Sequence, residues 1–262
     1  MKSFFLILTT LSFAFAAAAD LKETRLLTLS AENIDLLEID CGAGFLKING
    51  QKDANEIVVK AEIFIDVNDM DDFEEILKKN LRLELKQKGS KAVLEAGFDN
   101  DGSFFGALTS ASVNKRIDLT IELPEHLNLS IDDGSGTMSI RNIKGNVAID
   151  DGSGSIEVLD SGGKVKIDDG SGSIDLRHIG GSVDIDDGSG EIICDDIDGD
   201  CNIEDGSGDL TVMNVTGDVT IDDGSGSIEI DTVQGDVIIE DDGSGSVSIT
   251  GVSGKIYRHD EE

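Results

Sequence analysis

The sequence predicts an all-β protein: a β-solenoid of 18-residue coils, preceded by an irregular β-rich N-terminal part that contains one short helix. The tetrapeptide Asp-Gly-Ser-Gly recurs with a spacing of 18 residues five times and then of 19. Apolar residues also recur, giving the unit V-x-I-D-D-G-S-G-x-I-x-I-x-x-I-x-G-x. A fixed period of this length is typical of a stacked repeat architecture, because each unit buries its apolar face against its neighbours.

Each unit contains two short segments in which apolar and polar residues alternate, the pattern of half-buried strands. Glycine-rich turns bound both segments. A second set of glycines keeps the same register and marks a second corner, where positive φ or close packing is expected; its members are Gly145, Gly163, Gly181, Gly199, Gly217, Gly235 and Gly254. An antiparallel meander fits the same pattern, but the strict register favours a solenoid, in which like residues stack on like.

The N-terminus has the features of a signal peptide. Lys2 precedes an apolar run from Phe4 to Phe15, and small residues follow up to Ala19. We therefore predict a signal peptide over residues 1–19 and export to the periplasm or the extracellular space. The apolar run is short for a membrane span.

Residues 20–129 are predicted to form the irregular N-terminal part and residues 130–262 the regular solenoid. Ile39–Ile48 aligns with Ile131–Ile140, which predicts a degenerate first coil. Strand-like runs follow at Glu56–Ile65, Leu81–Lys86, Lys91–Glu95 and Lys115–Leu123. Asp69–Asn80 is predicted to be an amphipathic helix that caps one end, because Met70, Phe73, Ile76 and Leu77 share one face.

The run Lys115–Pro124, followed by Leu127–Ile131 and the Gly-Ser-Gly-x-Ile units, resembles the DUF4097 family of adhesin-like β-strand-repeat proteins. The resemblance covers most of the chain after residue 19 and is strongest from Ile117 onward. It implies an exported bacterial protein with a β-helix-like fold, and it offers no catalytic residues to carry over to this chain. The acidic residues before Gly-Ser-Gly depart from the usual pattern of the family.

Pairs of acidic residues in the repeats are the candidate metal ligands. Stacked coils would place them in two ladders down one corner, and hard oxygen ligands in rows suit Ca²⁺, the candidate cofactor. The candidate ligands are Asp132, Asp133, Asp150, Asp151, Asp168, Asp169, Asp186, Asp187, Asp205, Asp222, Asp223, Asp241 and Asp242. The favoured interpretation is structural: aspartate and serine bond to the backbone of such turns, and solvent surrounds the acids.

Three cysteines and three histidines offer little chemistry. Cys194 and Cys201 fall on core positions, so both should point inward and face each other, either as a disulfide or as buried thiols. The histidines are scattered among acidic residues and have no zinc spacing. No nucleophile elbow or phosphate-binding loop is present in the sequence.

These observations predict an exported, non-enzymatic structural or interaction protein, an adhesin or envelope scaffold that presents an acidic repeat surface. The formal net charge of -33 disfavours nucleic acid and bare anionic membranes as partners. A protein or glycan surface is the expected partner, with cation bridging and self-association through solenoid edges as further expectations. Two alternatives remain open: a calcium-binding repeat module, and a carbohydrate-active enzyme with one cleft formed before Leu129.

Overall fold

A computed structural model describes residues 8–10, 21–99 and 113–259. The N-terminal elements are β1 (Leu8–Thr10), β2 (Leu21–Ser30), β3 (Leu36–Gln51), β4 (Glu56–Ile65), α1 (Met70–Asn80), β5 (Leu81–Lys88), β6 (Lys91–Phe98) and β7 (Lys115–Pro124). The predicted signal peptide, residues 1–19, lies outside the described residues except for β1, which pairs with β2.

The remaining strands form the repeats. They are β8 (Asn128–Arg141), β9 (Val147–Asp151), β10 (Gly154–Ser161), β11 (Val165–Asp169), β12 (Gly172–Ile179), β13 (Val183–Asp187), β14 (Ile192–Ile197), β15 (Cys201–Asp205), β16 (Leu210–Val215), β17 (Val219–Asp223), β18 (Ile228–Val233), β19 (Val237–Asp241), β20 (Val247–Val252) and β21 (Ile256–Arg258).

The fold is a parallel β-solenoid, as the sequence predicts. Odd-numbered strands from β9 to β21 pair in parallel to form a first stack, and even-numbered strands from β10 to β20 form a second. Corresponding repeat residues lie side by side; Ile167, for example, pairs with both Ile149 and Ile185. Both stacks turn their apolar residues toward one shared core, which is the main source of stability in a fold of this type.

The degenerate first coil has the register that the sequence alignment predicts. β3 runs parallel to β8, with Ile39 opposite Ile131 and Ile48 opposite Ile140. On its other side β3 pairs with β6 and then with β7. Antiparallel pairs extend the array beyond this coil, namely β7 with β4, β4 with β2 and β5 with β6. The domain boundaries themselves stay a prediction.

The predicted helix is present as α1. Asp69 caps it, because its side chain accepts a hydrogen bond from the Asp72 backbone N–H at 2.9 Å. Acidic residues in the first turn and basic residues in the last turn complement the helix dipole. Phe73 is buried in the main core, and Ile76 and Leu77 pack against that core. The helix therefore contributes its apolar face to the N-terminal part.

Glycine is required at both corners for different reasons. The second glycine of Asp-Gly-Ser-Gly has positive φ in the first six copies; at Gly190 φ is 154° and an added Cβ would lie 1.4 Å from the carbonyl oxygen of Gly172. At the second corner the explanation is close packing, since a Cβ on Gly163 would lie 2.3 Å from the Gly145 carbonyl oxygen. Each coil therefore approaches its neighbour too closely for a side chain at these positions.

The last coil differs from the others. The 19-residue spacing produces a register shift, so that Asp222 pairs with Asp241. Core positions that are almost fully buried elsewhere are only half-buried or exposed here; Ile256 is 51% exposed. In the described part of the chain, no helix is long and apolar enough to cross a membrane.

Candidate interaction surface

The two acids of each repeat form two ladders beside the same turn, because each acid pairs with its equivalent in the neighbouring coils, but their side chains point to opposite faces of the strand. Successive side chains of a strand point to opposite faces. The first acid of each pair therefore points toward solvent, and the second points toward the interior, where it lies beside the turn that follows. The outer column is exposed and comprises Asp132, Asp150, Asp168, Asp186, Glu204 and Asp222. The inner column is 0 to 5% exposed and comprises Asp133, Asp151, Asp169, Asp187, Asp205 and Asp223.

The inner column holds the turns together. Asp187 Oδ1 accepts a hydrogen bond from the Ser189 backbone N–H at 3.2 Å. The same bond joins Asp169 to Ser171, Asp205 to Ser207 and Asp223 to Ser225, at 2.9–3.1 Å. This is the structural interpretation of the Asp-Gly-Ser-Gly motif: the carboxylate satisfies a backbone donor of a tight turn.

Burial changes the acidity of the inner column. Burial raises the pKa of Asp187 to about 6, and the charge of Asp169 in the neighbouring coil adds to the effect. Burial likewise raises the pKa of Asp151 and of Asp205 to about 6, in each case with inner-column neighbours adding to it. The pKa values of Asp133, Asp169 and Asp223 are also raised, first by burial. Loss of solvation disfavours the charged form of a carboxyl.

The outer column forms an exposed row of negative charge. Its members pair residue for residue across the first stack, as Asp168 does with Asp150 and Asp186. Neighbouring strands are about 4.8 Å apart, so the row carries one carboxylate at each such interval. At that spacing two unit charges repel by about 0.9 kcal/mol in bulk water. A partner that supplies positive charge would relieve this repulsion.

The predicted calcium ligands do not converge on a point. Among the described residues, no group of three or more acidic, histidine or cysteine side chains is placed to hold a metal ion. Asp241 pairs with Asp222 and is exposed, so it continues the outer column across the register shift, whereas Asp242 is ion-paired with Arg258. We assign no metal ligands, and calcium binding stays a prediction.

The cysteines lie where the sequence places them. Cys194 and Cys201 are fully buried and are free thiols. The pKa of Cys194 is raised because its thiol contacts Cys201 and is buried, so it is a poor nucleophile. Cys41 takes the inner-column position of the first coil, and its thiol donates to Asp133 Oδ1 at 3.4 Å. Burial raises the pKa of Cys41 as well.

The surface of the described part of the chain has shallow depressions. One, of about 370 Å³, crosses the outer side of the second stack and includes Glu157 and Asp175. Hydrogen bonds from Arg141, at 2.7 Å, and from Ser139 lower the pKa of Glu157. A glycosidase needs one carboxyl with a raised pKa as its general acid. This depression therefore does not favour the carbohydrate-enzyme hypothesis.

The structure also has a row of residues with left-handed backbone conformation at the second corner, which the sequence analysis does not predict. These non-glycine residues have φ between 55° and 62° and are Asn142, Asp160, His178, Asp196, Asn214 and Thr232. Asparagine, aspartate and histidine are the residues that adopt this conformation most readily. Their recurrence at this position of the repeat is the sequence pattern that indicates it. His178 Nδ1 lies 3.1 Å from Asp160 Oδ1, so the row also brings side chains of successive coils together.

Comparisons with known proteins give distant structural likenesses. No protein-family model and no curated protein matches the chain. A putative cell adhesion protein from Clostridium sporogenes matches 91% of this chain and 100% of its own, at 14% identity and a TM-score of 0.34. A putative adhesin from Bacteroides fragilis matches 90% and 97%, at 13% identity and a TM-score of 0.39. A putative lipid binding protein from Parabacteroides distasonis matches 91% and 97%, at 14% identity and a TM-score of 0.35. We infer no function from likenesses this distant.

Proposed function

We propose that the chain is an exported, non-enzymatic interaction protein, an adhesin or envelope scaffold, whose outer column binds a positively charged partner surface. The outer column carries this proposal, because it is an exposed row of carboxylates repeated in register on consecutive coils. A rigid row suits a binding surface, since its charges are already arranged before the partner arrives.

The charge of the surroundings supports the same function. The chain has 54 acidic residues and 21 basic ones, so its long-range field attracts cationic partners. The inner column does not add to the row, because its side chains are buried. The signal-peptide pattern of residues 1–19 and the resemblance to the DUF4097 family support export and adhesion in this proposal.

Binding of the full chain to an immobilised oligolysine peptide tests the role of the outer column. A variant with Asp168→Asn, Asp186→Asn and Asp222→Asn loses three outer charges. The matched control, Glu191→Gln, Asp196→Asn and Glu229→Gln, loses three exposed charges elsewhere. Exposed ion pairs contribute about 0.5 kcal/mol each, so the outer variant should bind about tenfold more weakly and the control should bind nearly as the natural chain does. Equal losses in both variants would mean that only net charge matters, and would refute the proposal.

The calcium-binding module is not favoured by any contact in the described residues and remains an alternative to be tested by titration. Self-association through solenoid edges also stays a prediction. The surface expected to self-associate is the last coil. Ile256 and Tyr257 are exposed there, and in the described residues no further strand pairs with the open edge of this coil.

A further inference from the structure

The inner column contains carboxylate oxygens that have no hydrogen-bond partner among the described residues. One oxygen of Asp169, Asp187, Asp205 and Asp223 accepts the turn bond, and the other is buried and unpartnered. At Asp151 neither oxygen accepts a hydrogen bond of good geometry, although the backbone N–H groups of Ser153 and Gly152 lie close enough to oppose the rise of its pKa. A buried polar atom without a partner is costly, and a buried unpaired charge is more so.

The space around these oxygens limits what can satisfy them. Each exposes less than 1 Å² of surface, so a water molecule cannot touch it in this conformation. A calcium ion needs six to eight oxygen ligands at about 2.3–2.6 Å, and no suitable group of side chains is present in the described ranges. A proton requires no additional room.

The groups that face the inner column provide no compensating positive charge in the described residues. Inner-column acids of adjacent coils act on Asp151, Asp187 and Asp205. The outer acid of the same strand acts on Asp133, Asp169 and Asp187. The thiol of Cys41 closes the column at one end. At the other end, Asp209, Asp241 and Asp242 act on Asp223. The charged groups that act most strongly on the column are therefore acidic.

We propose that the inner column is a proton-binding element: its buried aspartates hold protons in the folded chain at pH values at which exposed acids are ionised, so that mild acid stabilises the solenoid. A protonated carboxyl is neutral, so protonation removes the cost of burying an unpaired charge at these positions. The column thereby couples the stacking of the coils to pH.

The direction of the pH effect follows from linkage. Burial raises the pKa of Asp151, Asp187 and Asp205 to about 6 in the folded chain, whereas an unfolded aspartate ionises near pH 4. Below pH 4 both states are protonated, so the stabilising effect is fully present. As the pH rises from about 4 through about 6, the unfolded chain releases protons that the folded chain retains, and the stability of the fold decreases.

Urea unfolding of the full chain between pH 4.5 and pH 7.5 tests the proposal with neighbouring residues as matched variants. Asp187→Asn removes an inner carboxyl but keeps an oxygen to accept the Ser189 bond, whereas Asp186→Asn removes an outer one. We expect the unfolding midpoint of the natural chain to fall as pH rises. The Asp187→Asn midpoint should fall less and should exceed the natural value at pH 7.5. Asp186→Asn should flatten the pH dependence much less, because Asp186 is only a minor cause of the raised pKa of Asp187, and equal flattening by both variants would overturn the proposal.

Proton uptake on folding provides a second test that needs no variant. At pH 5 the three aspartates with a pKa of about 6 are mostly protonated when folded and mostly ionised when unfolded. Refolding of the natural chain from urea in weakly buffered solution should therefore take up about two or more protons per chain. Uptake of fewer than one proton would overturn the proposal even if Asp187→Asn failed to fold.

Discussion

Ser161 interrupts an apolar column at the second corner, and replacing it by valine should stabilise the fold. Ile143 and Ile179 lie at the equivalent positions of the adjacent coils and are buried. Ser161 is equally buried, and its hydroxyl has no hydrogen-bond partner among the described residues. Ser161→Val would therefore restore the apolar column.

The size of the effect follows from three contributions. An unsatisfied buried hydroxyl costs about 1–3 kcal/mol. Each additional buried methyl or methylene group contributes about 0.8 kcal/mol. Imperfect fit of the added volume opposes these gains by about 1–3 kcal/mol. We expect a net stabilisation of about 1–2 kcal/mol, or a rise of about 2–8 °C in the melting temperature of a chain of this size.

Thermal unfolding followed by circular dichroism at fixed pH measures this change. The matched control is Ser155→Val, which makes the same replacement at an exposed position of the same strand. Its effect should remain within about 0.5 kcal/mol, as is usual for surface substitutions. If Ser161→Val lowered the melting temperature, or raised it no more than Ser155→Val does, the reasoning about the corner column would be refuted.

Three further predictions concern the turns and the metal. Gly190→Ala should destabilise the fold by more than about 3 kcal/mol in a urea titration, because the added Cβ would lie 1.4 Å from the Gly172 carbonyl oxygen. The control Gly42→Ala should be tolerated, because no atom lies within 4 Å of its added Cβ. Thr232→Asn should stabilise the fold by about 0.5–1 kcal/mol, since Thr232 has φ 60° and asparagine adopts this conformation more readily; a lower melting temperature would contradict this. Millimolar Ca²⁺ and Mg²⁺ should raise the melting temperature equally through screening, and a Ca²⁺-selective rise would restore the calcium hypothesis.

The repeat register and most strands could be predicted because they depend on local, repeated patterns. The Asp-Gly-Ser-Gly spacing fixed which residues stack, and the alignment of Ile39–Ile48 with Ile131–Ile140 is the observed pairing of β3 with β8. The helix was predictable from its capping residue and its apolar face. The antiparallel pairing of β2 and β4 joins one irregular segment to another, and no repeated pattern indicates such a pairing.

Strand alternation in the sequence is sufficient to predict the orientation of the acid pairs. Ile149 faces the core, so strand alternation sends Asp150 outward and Asp151 inward. Both ladders lie at one corner, as predicted, but only the first acid of each pair is exposed. The unpartnered oxygens could not be predicted, because they depend on how closely adjacent coils pack around each turn.

The most direct test of the inward and outward orientation is a carboxyl-carbon NMR titration of the full chain between pH 3 and pH 8. Assigned resonances of Asp151, Asp187 and Asp205 should titrate with midpoints near pH 6, well above the usual aspartate range. That result would show that the second acid of each pair is buried. Midpoints near pH 4 for all three would contradict the buried inner column, and with it the proposed coupling of solenoid stability to pH.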